Sequence, residues 1–375
     1  MRDGRGDEFQ NRVDRHDLDP RPIGCPPSLQ RSRGIRLFGS WGTVSAEDPR
    51  FPAAMHDYWV YGLRVRSEIG LPGWPAVAPG EPDLLIRLAP VPELRLEGPP
   101  YTSRSVVEAG ELRLAVQGVG RYAAVGGSLI RVDPDPDAKT EDIQRYLMGA
   151  LIGTILHQRG AFPLEASCVA LRGAAAGVGF AGRPGAGKST LVATMMRRGA
   201  DFVSDDICVM APPGPGGLQV WPGAARARLD QTGLAAPLGP ASDLDPAGGN
   251  RGKFRFRMNA SLPQTSPIAL NAIYLLTDGE GPPRIERLTG LHAISALVDD
   301  TYLIATARDL GLGSQVFRLA AMAADRLLIA RLIRPRGLEH LPATATLIEQ
   351  DARQNAELHP SVPGGSGGRR DVHWI

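Results

Sequence analysis

The nine residues Gly182, Arg183, Pro184, Gly185, Ala186, Gly187, Lys188, Ser189 and Thr190 constrain this chain more than any other part of it. They fit the pattern G-x-x-x-x-G-K-[ST] at every fixed position, between the apolar run VGFA and the helical run TLVATMMRR. A strand, a glycine-rich turn and a helix in that order leave the first amides of the helix facing the turn. Glycines at 182, 185 and 187 let successive N–H groups point inward, and the helix adds its positive end. Such a cradle suits ATP or a close relative. Lys188 would reach the outer phosphates, the Ser189 hydroxyl would ligate magnesium, and Arg183, Pro184, Ala186 and Thr190 complete the loop. The competing reading is a tight turn that binds nothing.

Downstream, the apolar segment FVSDDICVM carries Ser204, Asp205 and Asp206 in its middle. Two adjacent carboxylates are costly to bury there. A magnesium ion on nucleotide phosphates would compensate one of them and leave the other to take a proton from an incoming hydroxyl. Neighbours on a regular strand face opposite sides, so both can meet one substrate only if the strand bends or ends. A solvated strand end is the alternative. The segment NRGKFRFRM sets Arg251, Lys253, Arg255 and Arg257 at alternating positions. They read either as a charged edge strand or as a phosphate clamp in which Lys253 is the preferred residue. His157 ends an apolar helix, where a cation suits the carbonyl end, and reads as structural.

Around these motifs the chain divides by composition. Residues 1–50 are rich in Arg, Asp, Gly and Pro and read as a disordered tail. Residues 57–139 hold short alternating runs (YWVYGLRVRSEI, DLLIRLAP, ELRLEG, ELRLAVQG, SLIRVDP), which predict a small β-rich (α+β) domain. A helix is expected over 140–159, capped by Thr140, and it opens an α/β domain over 140–350. There IALNAIYLLTD reads as a strand and QVFRLAAMAADRLLIARLI as helical. Residues 351–375 read as a flexible tail.

The 42 basic residues are interleaved with 40 acidic ones, and the net charge of +2 selects no nucleic acid. Cys25, Cys168 and Cys208 lack the spacing of a zinc site or a disulfide framework, so they read as reduced thiols. No apolar run has the length of a membrane span or a secretory signal, which leads to the expectation of a cytoplasmic protein without a membrane partner.

The combination of GRPGAGKST, one short helix ending at Gly199 and an immediate return strand carrying SDD resembles the catalytic domain of the HPr serine kinase/phosphorylase family. The resemblance extends upstream through LMGALIGTILHQRGAFPLEASCVAL and downstream to about residue 350, and it is weaker over the first domain. It implies a phosphoenolpyruvate-carboxykinase-like P-loop fold, with ATP phosphates on Gly182 to Ser189, magnesium on Ser189 and Asp206, and Asp205 as the base toward a serine hydroxyl of a protein or peptide acceptor. A homo-oligomer would also fit the family. One position departs from it: the segment that usually carries a histidine reads Leu164-Glu165-Ala166-Ser167. Glu165 can anchor a metal or orient a water, but it is no imidazole. The Gly- and Arg-rich signature of the reverse reaction is missing, so kinase activity is the expectation. Two alternatives stand beside it: an ATP-binding regulatory module without phosphotransfer, and a small-molecule kinase, which would need an enclosed pocket beside the aspartates.

Overall fold

A computed structural model describes residues 50–51, 54–171, 176–214, 217–224, 226–230, 244–246, 253–257 and 265–358. All of them belong to one compact unit. The tail expected over 1–50 lies outside them apart from Arg50.

In the first part, apolar residues alternate with Arg and Glu, and period-two spacing puts the apolar set on one face of a sheet. β1 (His56–Val60), β2 (Leu63–Ser67), β3 (Leu84–Leu88), β4 (Ser103–Glu108), β5 (Glu111–Val116), β6 (Gly120–Val125) and β7 (Leu129–Pro134) form seven strands in the order β1-β2-β3-β7-β6-β5-β4. Strands β2, β3 and β7 run parallel, and the remaining pairs are antiparallel. ELRLEG, expected as a strand, is irregular instead.

The β1–β2 turn uses Tyr61 and Gly62 at φ of 54° and 77°, the left-handed pair whose twist matches a two-residue hairpin. A tyrosine in that conformation costs about 1 kcal/mol. Docking offsets the cost, because Tyr61 is buried and its N–H donates to the Pro222 carbonyl at 3.1 Å. Gly62 lies so close to Trp221 that an added Cβ would come within 2.5 Å of the indole. The first hairpin is thereby pinned to the later part of the chain.

A helical segment follows as α1 (Thr140–Tyr146), a wider π turn (Leu147–Leu151) and α2 (Ile152–Gln158). Thr140 is its first helical residue and not its cap, since extended Lys139 precedes it without a side-chain capping bond. The π turn was not expected; such turns re-aim the residues around them. Ile143, Leu147, Leu151 and Ile155 join the first sheet in one core that also takes in Ile207, Val209 and Trp221.

The second sheet contains β8 (Phe162–Leu164), β9 (Ala166–Leu171), β10 (Ala176–Ala181), β11 (Asp201–Ser204), β12 (Cys208–Gly214), β13 (Gly217–Trp221), β17 (Ile268–Asp278), β18 (Arg284–Leu288) and β19 (Leu328–Arg334). A separate three-stranded sheet is built from β14 (Arg226–Asp230), β15 (Leu244–Pro246) and β16 (Lys253–Arg257). The helices are α3 (Lys188–Arg197), α4 (Gly290–Asp299), α5 (Ile304–Asp309), α6 (Gly313–Arg326) and α7 (Leu341–Leu358). Alternation along β17 sorts them. Ala272 and Tyr274 face a core with Leu191 and Met195 of α3 and Ala345 and Ile348 of α7, while Ile273 and Leu275 face Leu297 of α4 and Val316 and Ala320 of α6. The molecule is thus α/β, with helices on both faces of a mixed sheet.

Two boundaries differ from expectation. LLIARLI, expected to be helical, is the buried strand β19, paired in parallel with β17. Residues 351–358, assigned to the tail, are the last turns of α7: Asp351 accepts the Tyr274 hydroxyl at 2.7 Å, and Ala352 is buried. Among the described residues no helix is long and apolar enough to cross a membrane.

Candidate functional site

Strands β10, β17 and β19 run parallel, so their carboxyl ends share one edge of the sheet. Open α/β sheets leave a crevice outside such an edge. The glycine-rich loop emerges there from Ala181. Gly182, Gly185 and Gly187 take φ of 138°, 85° and 88°, values that a side chain would strain. Crowding reinforces this at Gly187, where a Cβ would lie 2.7 Å from the Arg334 guanidinium. Arg334, at the end of β19, donates from Nη2 to the Ala186 carbonyl at 2.6 Å. Burial pulls its pKa below the ordinary value. This arginine ties the loop to the sheet.

Lys188 opens α3 and is buried. Its ammonium folds back inside the loop, donating to the Gly182 carbonyl at 2.5 Å and the Arg183 carbonyl at 3.4 Å, and it pairs with Glu165 Oε1 at 3.3 Å. Glu165 sits between β8 and β9, where its N–H donates to the Asp300 carbonyl at 2.7 Å. The Asp300 carboxyl is pushed up to about 6, first by burial and then by Glu165 and Asp299, while Lys188 opposes the shift. Arg334 and Asp300 were both missed in the sequence. The only signal was a charged residue at the end of an apolar run, which also marks many solvated strand ends.

The aspartate pair resolves the geometric problem posed by its sequence. β11 stops at Ser204, Asp206 turns the chain with φ of 64°, and β12 begins at Cys208. Asp tolerates that conformation better than most residues. Asp205 is buried, and it accepts from Ser189 at 2.9 and 3.1 Å through its two oxygens and from Ser167 of β9 at 2.5 Å. Asp206 is exposed. The expectation joined Ser189 to Asp206, but the hydroxyl donates to Asp205. Asp205 directly follows β11, which pairs with β9, and this brings it to the start of α3.

Magnesium on a nucleotide keeps several waters and takes one or two carboxylates plus phosphate oxygens. Ser189 beside Asp205 fits that donor set. No cluster of three or more His, Cys, Asp or Glu side chains fit to hold a metal occurs among the described residues. Beyond Asp205 and Asp206 opens a cavity of about 300 Å³, walled by Tyr61 and Trp74 of the first sheet region and by Tyr146 and Tyr302.

Other sequence candidates fall elsewhere. His157 is buried and donates from Nε2 to the Tyr302 carbonyl at 2.6 Å, and burial lowers its pKa. It is structural, as expected, but as a neutral bracket between α2 and the α4–α5 connection and not as a cation at a helix end. Cys168 and Cys208 are buried free thiols, and Cys168 is pushed well up by its hydrogen bond with Cys208 and by burial. Lys253 begins β16 opposite Asp230 in the register with β14. The clamp assigned to its side chain lies outside what is described, as do Arg251 and Cys25 entirely, and the Arg255 and Arg257 side chains.

No family model matches the chain, and no curated protein matches it. Among solved structures, the Hpr(Ser) kinase/phosphatase from Coxiella burnetii is similar at 14% identity, over 52% of this chain and 98% of that one, with a TM-score of 0.28. A likeness that loose carries no weight for the site.

Proposed function

We propose that this chain binds ATP with magnesium at Gly182 to Ser189 and transfers the γ-phosphoryl group to an acceptor hydroxyl. One observation carries the reading: Ser189, the second residue of the helix behind a three-glycine loop and next in sequence to Lys188, donates to both oxygens of buried Asp205. A hydroxyl, a carboxylate and an ammonium at one helix mouth supply complementary charge to a metal-bound triphosphate.

The residues divide the work as follows. The loop amides bind phosphate oxygens, and Lys188 leaves the Gly182 and Arg183 carbonyls to reach the outer phosphates. Ser189 and Asp205 would hold magnesium, which when bound neutralises charge on the phosphates. Arg334 fixes the loop through Ala186. Asp206 is exposed and lines the cavity, so we assign it the acceptor proton and give Asp205 to the metal, the reverse of the roles expected from sequence. The acceptor oxygen bonds to the γ-phosphorus as its bond to the β,γ-bridging oxygen breaks, ADP leaves, and the proton passes to the Asp206 carboxylate.

The sequence resemblance favours a serine of a protein or peptide as acceptor. The cavity beside the aspartates favours the alternative of a small molecule. The test is calorimetric titration of ATP with magnesium into the full chain, followed by conversion of labelled ATP to ADP with candidate acceptors. Lys188→Ala is expected to weaken ATP at least about tenfold, the loss of roughly 1.4 kcal/mol from one charge-assisted contact. Equal affinity in the two proteins would remove the phosphate site, and tight binding without conversion for any acceptor would leave a regulatory module.

A further inference from the structure

The cavity beyond the aspartates is bounded by two parts of the chain far apart in sequence. One wall is the tip of the first hairpin, Tyr61, with Trp74; the other is the π turn around Gly149 and the residue Tyr302. None of its lining residues belongs to the loop Gly182 to Thr190, yet it includes both aspartates. Because Asp205 also holds Ser189, one carboxylate separates the cavity from the site proposed for the metal.

The main chain that carries the aromatic wall is tied down. Tyr302 donates its N–H to the Pro163 carbonyl at 3.0 Å and accepts from His157 at 2.6 Å, while Trp74 packs edge-on against Tyr58 at 5.9 Å. Tyr61 is locked by its turn. A pocket that is already formed binds without the ordering cost of a flexible one. The volume of about 300 Å³ is at the lower end of small-molecule sites. A dry cavity of about 150 Å³ is enough for benzene, so this one admits a ring with a short chain.

Charge narrows the class further. With Asp205 assigned to magnesium, Glu141 and Asp206 still outnumber the one cation of the lining, Arg145, which also pairs with Asp142 at 2.9 Å. The excess of carboxylates disfavours an anionic body, and aromatic faces favour an apolar or cationic one.

We infer that this cavity is the acceptor site and that it takes a small molecule with a hydroxyl on an apolar or aromatic body without net negative charge. The inference rests on the phosphotransfer reading above for the fate of that hydroxyl, which points at Asp206 with the rest of the molecule against the aromatic wall. The first sheet then selects the substrate and the second sheet holds the nucleotide.

The test uses the full chain and three probes that share a ring and an alcohol: 2-phenylethanol (neutral), tyrosinol (cationic) and 3-phenyllactate (anionic). Saturation-transfer NMR reads their binding, and calorimetry reads ATP with magnesium in the same samples. Gly149→Phe fills the cavity from the π turn, where a Cβ meets only the Tyr302 hydroxyl, at 3.5 Å. Ala224→Phe fills it from the other side should the first variant fold poorly. The expected result is binding of the neutral and cationic probes, at least tenfold weaker binding of phenyllactate, and loss of both signals in the filled variants with ATP affinity within twofold of the parent. The inference is overturned if no probe binds a chain that binds ATP, if binding survives both fillings, if phenyllactate binds best, or if filling abolishes ATP binding, which would make the cavity the nucleotide's own. Loss of ATP binding in the parent chain, with probe binding intact, would sink the phosphotransfer reading and leave the cavity's ligand class standing.

Discussion

Replacing Asp300 with Asn should make the protein more stable at neutral pH and flatten its response to acid. The carboxyl is pushed from 3.8 to about 6, chiefly by burial. Since the folded state holds the proton more tightly than the unfolded chain, this group's favourable contribution is complete below about pH 3.8 and is lost as pH rises through 6. The full shift corresponds to roughly 3 kcal/mol, an upper figure because the side chain is only partly enclosed, and about 1.4 kcal/mol of it falls between pH 5 and 7.5. Asn keeps the shape and leaves the main-chain bond from Glu165 in place. Urea unfolding at pH 5, 6, 7 and 7.5 reads the difference. With a slope of about 3 kcal/mol per molar, the midpoint of Asp300→Asn should gain about 0.5 M on the parent across that range. A constant gap, or one that closes as pH rises, would mean that Asp300 does not take up a proton on folding.

Nucleotide should draw Lys188 away from Glu165 and Asp300, removing the charge that holds the Asp300 shift down. Binding near pH 6.5 should therefore take up protons, seen as calorimetric heats that change with the ionisation enthalpy of the buffer. Arg334→Met frees the loop at Ala186 and should weaken ATP about tenfold by titration with little change in fold by circular dichroism. Gly62→Ala meets both a φ of 77° and the Trp221 ring and should cost about 2–4 kcal/mol in denaturant unfolding. Tyr274→Phe loses one hydrogen bond to Asp351 and should cost about 1 kcal/mol in the same assay.

Where one local rule decided the outcome, the sequence was legible. The glycine spacing of 182, 185 and 187 is realised as three left-handed residues, and the alternation in LRVRS and LLIRL is realised as strands. LLIARLI is ambiguous in the sequence because a continuous apolar run suits a buried strand and a buried helix equally, and only pairing with β17 settles which it becomes. The π turn has no local signature in LMGAL, and it brings Gly149 to the cavity wall. Asp205 and Asp206 were recognised as a pair, but their division of labour depends on where β11 ends. Arg334 and Asp300 come to the loop from more than a hundred residues downstream. Neither has a periodicity or spacing that singles it out, so only the folded sheet shows them.

Asp205 links Ser189 to the metal-bound triphosphate in the proposed site. The most direct measurement is ATP affinity with magnesium and with excess chelator, in the parent chain and in Asp205→Asn. Magnesium should tighten ATP at least tenfold in the parent and by less than twofold in the variant, whose residual binding then comes from the loop and Lys188. If magnesium tightens ATP equally in both proteins, Asp205 does not belong to the metal's surroundings, and the phosphotransfer site is not the one described.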